Sequence, residues 1–130
     1  MNERIHRHFN EIEARLIESP VIVFYKIIRK DISPDDGKLR IRSDLSGGGT
    51  LEFFLYVKDT GHRIQVLKYS YHRQDSTGTP IKRLDNAPHH PNLSFAPNHL
   101  HMGSDHVEGF SEDPDIFAFI DEIERTLTKE

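Results

Sequence analysis

Four of the nine histidines in this chain lie in one short stretch, R-L-D-N-A-P-H-H-P-N-L-S-F-A-P-N-H-L-H-M-G, running from Arg83 to Gly103. Imidazole is the only side chain whose ordinary pKa lies near neutrality, so His89, His90, His99 and His101 are candidates for moving protons, binding phosphate or holding a metal. Metal-free RNA cleavage by transphosphorylation needs a base for the 2′-hydroxyl proton, an acid for the leaving 5′-oxygen, and donors that stabilise the charged phosphorane. Histidines with an arginine supply all three. His89 or His90 is expected to work with His99 or His101 as the acid–base pair, in an order the sequence leaves open. Arg83 is the expected phosphate contact, and Asp85 is placed to orient an imidazole. Tyr71, His72 and Arg73 end a long strand expected to lie beside this loop, and with Lys82 and Asn86 they form the expected substrate contacts. Tyrosine rings there suit stacking on unpaired bases.

Other readings compete. His99-x-His101 in extended backbone points both rings to one face, and two or three histidines with Asp85 would make a mononuclear metal site if the loop bends. The spacing matches no zinc signature such as H-E-x-x-H, and the reading adopted takes neither metal nor cofactor. Alternative readings make the histidines and prolines a rigid loop and Tyr69 and Tyr71 half-buried sheet residues, and Asp85-Asn86 before Ala-Pro suits a turn. His6, His8 and His62 receive no role. Gly47 to Gly49 lack a following Lys-Ser/Thr and do not form a P-loop. The runner-up function is a noncatalytic protein-binding module; a third is a metal-dependent nuclease or hydrolase.

The chain has 130 residues, 35% of them hydrophobic, with eight Phe and no Cys. This length suits a single domain spanning residues 1–130, with a small aromatic core and no disulfide framework or thiolate nucleophile. Seventeen Lys and Arg against twenty-one Asp and Glu give a net charge of -4, weak support for nonspecific nucleic-acid binding through overall charge. The charge is uneven, however: residues 26–42 are basic and residues 108–130 acidic, which leaves room for a local anion-binding surface. The first residues mix both charge signs without an apolar run, so a cytoplasmic protein with no membrane contact is expected.

The elements that must position these groups can be read from periodicity. Ile5, Phe9, Ile12 and Leu16 mark an amphipathic helix over residues 3–18, closed by Ser19-Pro20. V-I-V-F-Y-K-I-I-R-K at 21–30 is expected to be a well-buried strand. Lys38-Leu-Arg-Ile-Arg42 alternates as a half-solvated strand with a basic outer surface. A flexible glycine connection, a strand over 50–58, a D-T-G turn and a strand over 62–73 suggest a hairpin, and a short strand over 81–84 follows D-S-T-G-T-P. Residues 86–112 read as an ordered irregular loop. The last helix is expected to start at Pro114 with Asp113 as cap and an apolar stripe of Ile116, Phe119, Ile120, Ile123 and Leu127. The fold class is therefore α+β, a mainly antiparallel sheet of about five strands flanked by terminal helices.

At Y-S-Y-H-R (residues 69–73), R-L-D-N-A-P-H-H-P and the following H-x-H, the chain resembles the TumE-like toxins of prokaryotic toxin–antitoxin pairs, over roughly residues 20–105. The resemblance implies a small cytoplasmic toxin neutralised by a protein antitoxin that carries a DNA-binding module, with RNA as target and an oligomer left open. The matched positions are Tyr71, His72, Arg83, Asp85, Asn86, His89, His90, His99 and His101. Similar sequences tend to carry a further histidine near Asn98, which this chain lacks.

Overall fold

Ile5, Phe9, Ile12 and Leu16 fall on one stripe of a 3.6-residue helix, and all four are buried in α1 (Glu3–Glu18). Asn2 caps this helix, its side-chain oxygen accepting from the Ile5 N–H at 2.9 Å. The computed structural model describes residues 2–86, 99–102, 106–109 and 115–128, the segments 99–102 and 106–109 as backbone. After α1 come β1 (Ile22–Ile32), β2 (Asp36–Leu45), β3 (Thr50–Asp59), β4 (Ile64–Gln74), β5 (Pro80–Asp85), β6 (His99–Met102), β7 (His106–Gly109) and α2 (Ile116–Thr128). The strands form one antiparallel meander in chain order. The protein is α+β, as expected.

Both helices lie on one face of this sheet. Phe119 of α2 packs edge-on against Tyr71 of β4, ring centres 5.7 Å apart. Arg15 of α1 reaches α2 through Asp121 and Glu124, each at 2.6 Å. Strand alternation explains the rest of the core: Leu39, Ile41, Leu51, Phe53, Leu55 and Val57 are buried under the helices. Their neighbours along β2 and β3, among them Arg40, Arg42, Glu52 and Phe54, consequently face away, on the helix-free side.

Three expectations need correction. The apolar run at 21–30 is not a well-buried strand: β1 is the sheet edge, and Val23, Phe24, Ile27 and Ile28 are exposed. Only one of its faces meets α1, where Glu13 accepts from Tyr25 and Lys30. The segment 86–112 is not wholly irregular, because His99–Met102 and His106–Gly109 extend the sheet by two strands. Strands of four residues stand at the lower limit of the length over which alternation can be read. In α2, the Asp115 side chain accepts from the Phe117 N–H at 2.9 Å, so Asp115 serves as cap; Asp113 and Pro114 lie outside the described residues. The glycine connection after β2 is a tight turn, with Gly47 and Gly48 at φ of 88° and 95° and the Leu45 N–H bonded to the Gly49 carbonyl at 2.8 Å.

Candidate functional site

Register decides which of the candidate residues meet. The tight turns lock β2 to β5 so that Arg42 pairs with Glu52, Glu52 with His72, and His72 with Arg83. Arg83 in turn is opposite His101, and Asp85 opposite His99. Residues paired across an antiparallel ladder share a face, with Cβ atoms about 5 Å apart. One cross-strand row on the helix-free face therefore holds Arg42, Glu52, His72, Arg83 and His101. His99 and Asp85 occupy the adjacent row on the same face.

Within this row the side chains of β2 to β5 are in defined contacts. Arg83 Nε donates to Asp85 at 2.7 Å, a pair set by the i, i+2 spacing that puts both on one face of β5. Asp85 is 2% exposed, so its carboxylate fixes the guanidinium from below rather than competing with solvent-borne ligands. The Arg83 side chain is 39% exposed, and among the described residues its terminal nitrogens donate to no side chain. His72 lines a small cleft of about 180 Å³ with Arg42, Thr50, Glu52 and Gln74. Burial lowers the His72 pKa below the usual imidazole value, the Arg83 cation lowers it further, and Glu52 opposes both. These influences together favour the neutral imidazole, the form that accepts a proton.

Other expected contacts are placed elsewhere. Tyr71 is fully buried under α2 with its hydroxyl unpartnered among the described residues, and burial drives its pKa far upward. Its ring belongs to the core, so the base-stacking role expected of it does not fit. Lys82 points to the helices, bonding Glu122 of α2 at 2.6 and 2.8 Å. Arg73 also lies on the helix side, in a cleft with Ile81 and Leu127. Asn86 spends its amide on β4, accepting from the Tyr69 N–H at 3.1 Å and donating to the Leu67 carbonyl at 2.8 Å. These four therefore position the sheet instead of facing the His72 row. His89 and His90 lie outside the described residues. Among the described residues, no three His, Asp or Glu side chains converge as a metal-binding set.

A family model described as Toxin TumE matches residues 6–127. The chain belongs to the TumE toxin family. The match runs from α1 through α2 and includes every residue of the His72 row, so the TumE assignment covers the scaffold as well as the loop motif. No curated protein and no solved structure matches the chain significantly. No helix among the described residues is long and apolar enough to cross a membrane.

Sequence reasoning read His72 as a substrate contact and missed Glu52 and its cleft. The turn between β3 and β4 alone would not have shown it: counting outward from the Asp59–Ile64 pair puts Glu52 opposite Tyr71, and only the bulge at Tyr56/Val57 shifts the ladder by one residue to bring Glu52 opposite His72.

Proposed function

We propose that this TumE-family toxin acts as a metal-independent endoribonuclease on the helix-free face of its sheet. The observation that carries this reading is the row in which Arg83, anchored by buried Asp85, stands between His72 and His101. A phosphodiester placed over Arg83 would have its nonbridging oxygens against the guanidinium, with an imidazole-bearing position on each side.

Neutral His72 is suited to take the proton from a ribose 2′-hydroxyl. The 2′-oxygen then attacks phosphorus, and the bond from phosphorus to the 5′-oxygen breaks. A protonated imidazole, from His101, His99, His89 or His90, gives its proton to that leaving oxygen. The products are a 2′,3′-cyclic phosphate and a free 5′-hydroxyl, so atoms and charge balance without a cofactor. Arg83 stabilises the extra negative charge of the phosphorane, a contribution worth on the order of 10²–10³ in rate for one well-placed donor. The role once given to His72, substrate contact, becomes that of general base. The partners that go with this reading are a protein antitoxin carrying a DNA-binding module and an RNA substrate, in the cytoplasm.

The test is cleavage of a single-stranded oligoribonucleotide by the purified chain in EDTA, with His72→Ala and Arg83→Gln alongside. Chelator-resistant cleavage that falls at least a hundredfold in both variants, with unchanged circular dichroism, supports the reading. Cleavage abolished by EDTA points to the metal-dependent alternative, and an inert wild-type chain to the binding module.

A further inference from the structure

Five of the six large hydrophobic side chains exposed among the described residues belong to β1 and the end of α1, on both faces of the strand. Val23 is 72% exposed, Phe24 60%, Ile28 48% and Ile27 38%, all on β1, and Ile17 is 69% exposed at the end of α1. Ile17 lies one turn beyond Glu13, on the face of α1 whose Glu13 carboxylate is bonded to Tyr25 and Lys30 of β1. β1 is an eleven-residue edge strand, so among the described residues one side of its backbone faces no neighbouring strand. Long apolar edges left open invite a further strand, and proteins that do not use them protect them with charges, bulges or covering elements. β1 has bulges between Ile22 and Phe24 and between Ile27 and Arg29, which leave Phe24–Ile27 and Arg29–Ile32 as its regular stretches, and no helix or loop among the described residues pairs with its outer edge.

The charges nearby select the kind of strand. On the helix-free face Lys26 is directly opposite Arg42; Arg29 is opposite Arg40, but those two are already paired with Asp31 and Glu52. Like charges facing each other across a ladder destabilise it, and the Lys26–Arg42 pair sits immediately inside the open edge. A strand added outside β1 with a carboxylate on that face would relieve it. A second copy of this chain, pairing β1 with β1, would instead bring a second Lys26 to the seam, and the remaining β1 cations, Arg29 and Lys30, are held by Asp31 and Glu13. RNA offers phosphates but neither apolar side chains for Val23, Phe24 and Ile28 nor a ladder of backbone hydrogen bonds.

We infer that β1 is a docking edge for an extended segment of a protein partner, alternating apolar and acidic residues, which adds an eighth strand to the sheet. The occupant is taken to be the antitoxin, and in that respect the inference rests on the toxin–antitoxin reading but not on RNA cleavage. With strands about 4.8 Å apart, the added strand lies roughly four spacings, about 19 Å, from His72. Docking and chemistry are therefore separable by mutation.

The experiment is amide hydrogen exchange on the full chain, alone over a concentration series, with the antitoxin encoded beside it, and with a single-stranded oligoribonucleotide. Antitoxin is expected to slow exchange over residues 22–32 at least tenfold. Ile28→Lys and the milder pair Val23→Thr with Ile28→Thr, which keep strand propensity, are expected to weaken antitoxin binding at least tenfold. Growth inhibition by these variants should persist and escape neutralisation. Protection of β1 by concentration alone would make the edge a self-association surface, and protection by the oligoribonucleotide would make it an RNA surface. Either result, or unchanged β1 exchange with antitoxin, overturns the inference. Failure of the cleavage reading leaves β1 protection unaffected, so the two can fall separately.

Discussion

His72 sits between opposing influences: burial and Arg83 favour its neutral form, Glu52 its cation. An NMR titration of its ring should give a midpoint below the usual imidazole value of about 6.5. Arg83→Gln should raise that midpoint and Glu52→Gln lower it; no movement in either variant would detach His72 from the row. Tyr71 provides the matching control. Its hydroxyl is buried without a partner among the described residues, so Tyr71→Phe should be neutral or stabilising by up to about 1 kcal/mol in denaturant unfolding and leave RNA cleavage unchanged. At this scale much of the site was legible in the sequence. Arg83, Asp85 and the H-x-H pair were singled out as types suited to phosphate chemistry, but side-chain direction was not: Tyr71 and His72 are adjacent, and the pleat sends one to the core and the other to the helix-free face.

Helices were the most legible elements, because a stripe of apolar residues over four turns has one interpretation. Ile5, Phe9, Ile12 and Leu16 are all buried, and Phe9→Ala should cost about 3–5 kcal/mol in urea unfolding. The cap of α2 was less legible, since Asp113 and Asp115 both precede the apolar stripe and only the bond to the Phe117 N–H distinguishes them. Asp115→Ala should cost about 1 kcal/mol by the same measurement. Strand β1 shows a different failure. A run such as V-I-V-F-Y-K-I-I looks the same whether both faces pack inside the protein or one awaits a partner, because apolar side chains report a need for burial and not what satisfies it. The short β6 and β7 carry too few residues for periodicity, yet β6 is what brings His99 and His101 into register with Asp85 and Arg83.

For the molecule as a whole, the meander has two faces with different duties, one covered by helices and one carrying charge and imidazole. Its response to pH follows from groups on both. His8 and His72 have lowered pKa values, burial being the first cause in each. Between those lowered values and about 6.5 the unfolded chain binds more protons than the folded one, so stability rises with pH across that window and is lost as pH falls through it. The Glu124 carboxyl, held below its usual range first by its hydrogen bond from Arg15, contributes stability above the ordinary carboxylate pKa that is lost at more acidic pH. The urea midpoint should therefore decline in two stages from pH 7 downward, and His8→Gln with His72→Gln should flatten the first; an unchanged first stage would contradict it. The account stands or falls, however, on chemistry at the His72–Arg83–His101 row. The most direct measurement is the terminus left on a single-stranded oligoribonucleotide after incubation with the purified chain in EDTA, read by mass spectrometry. The account predicts 2′,3′-cyclic phosphate ends that disappear with His72→Ala and Arg83→Gln; intact RNA with the wild-type chain, or the same ends at the same rate from both variants, would contradict it.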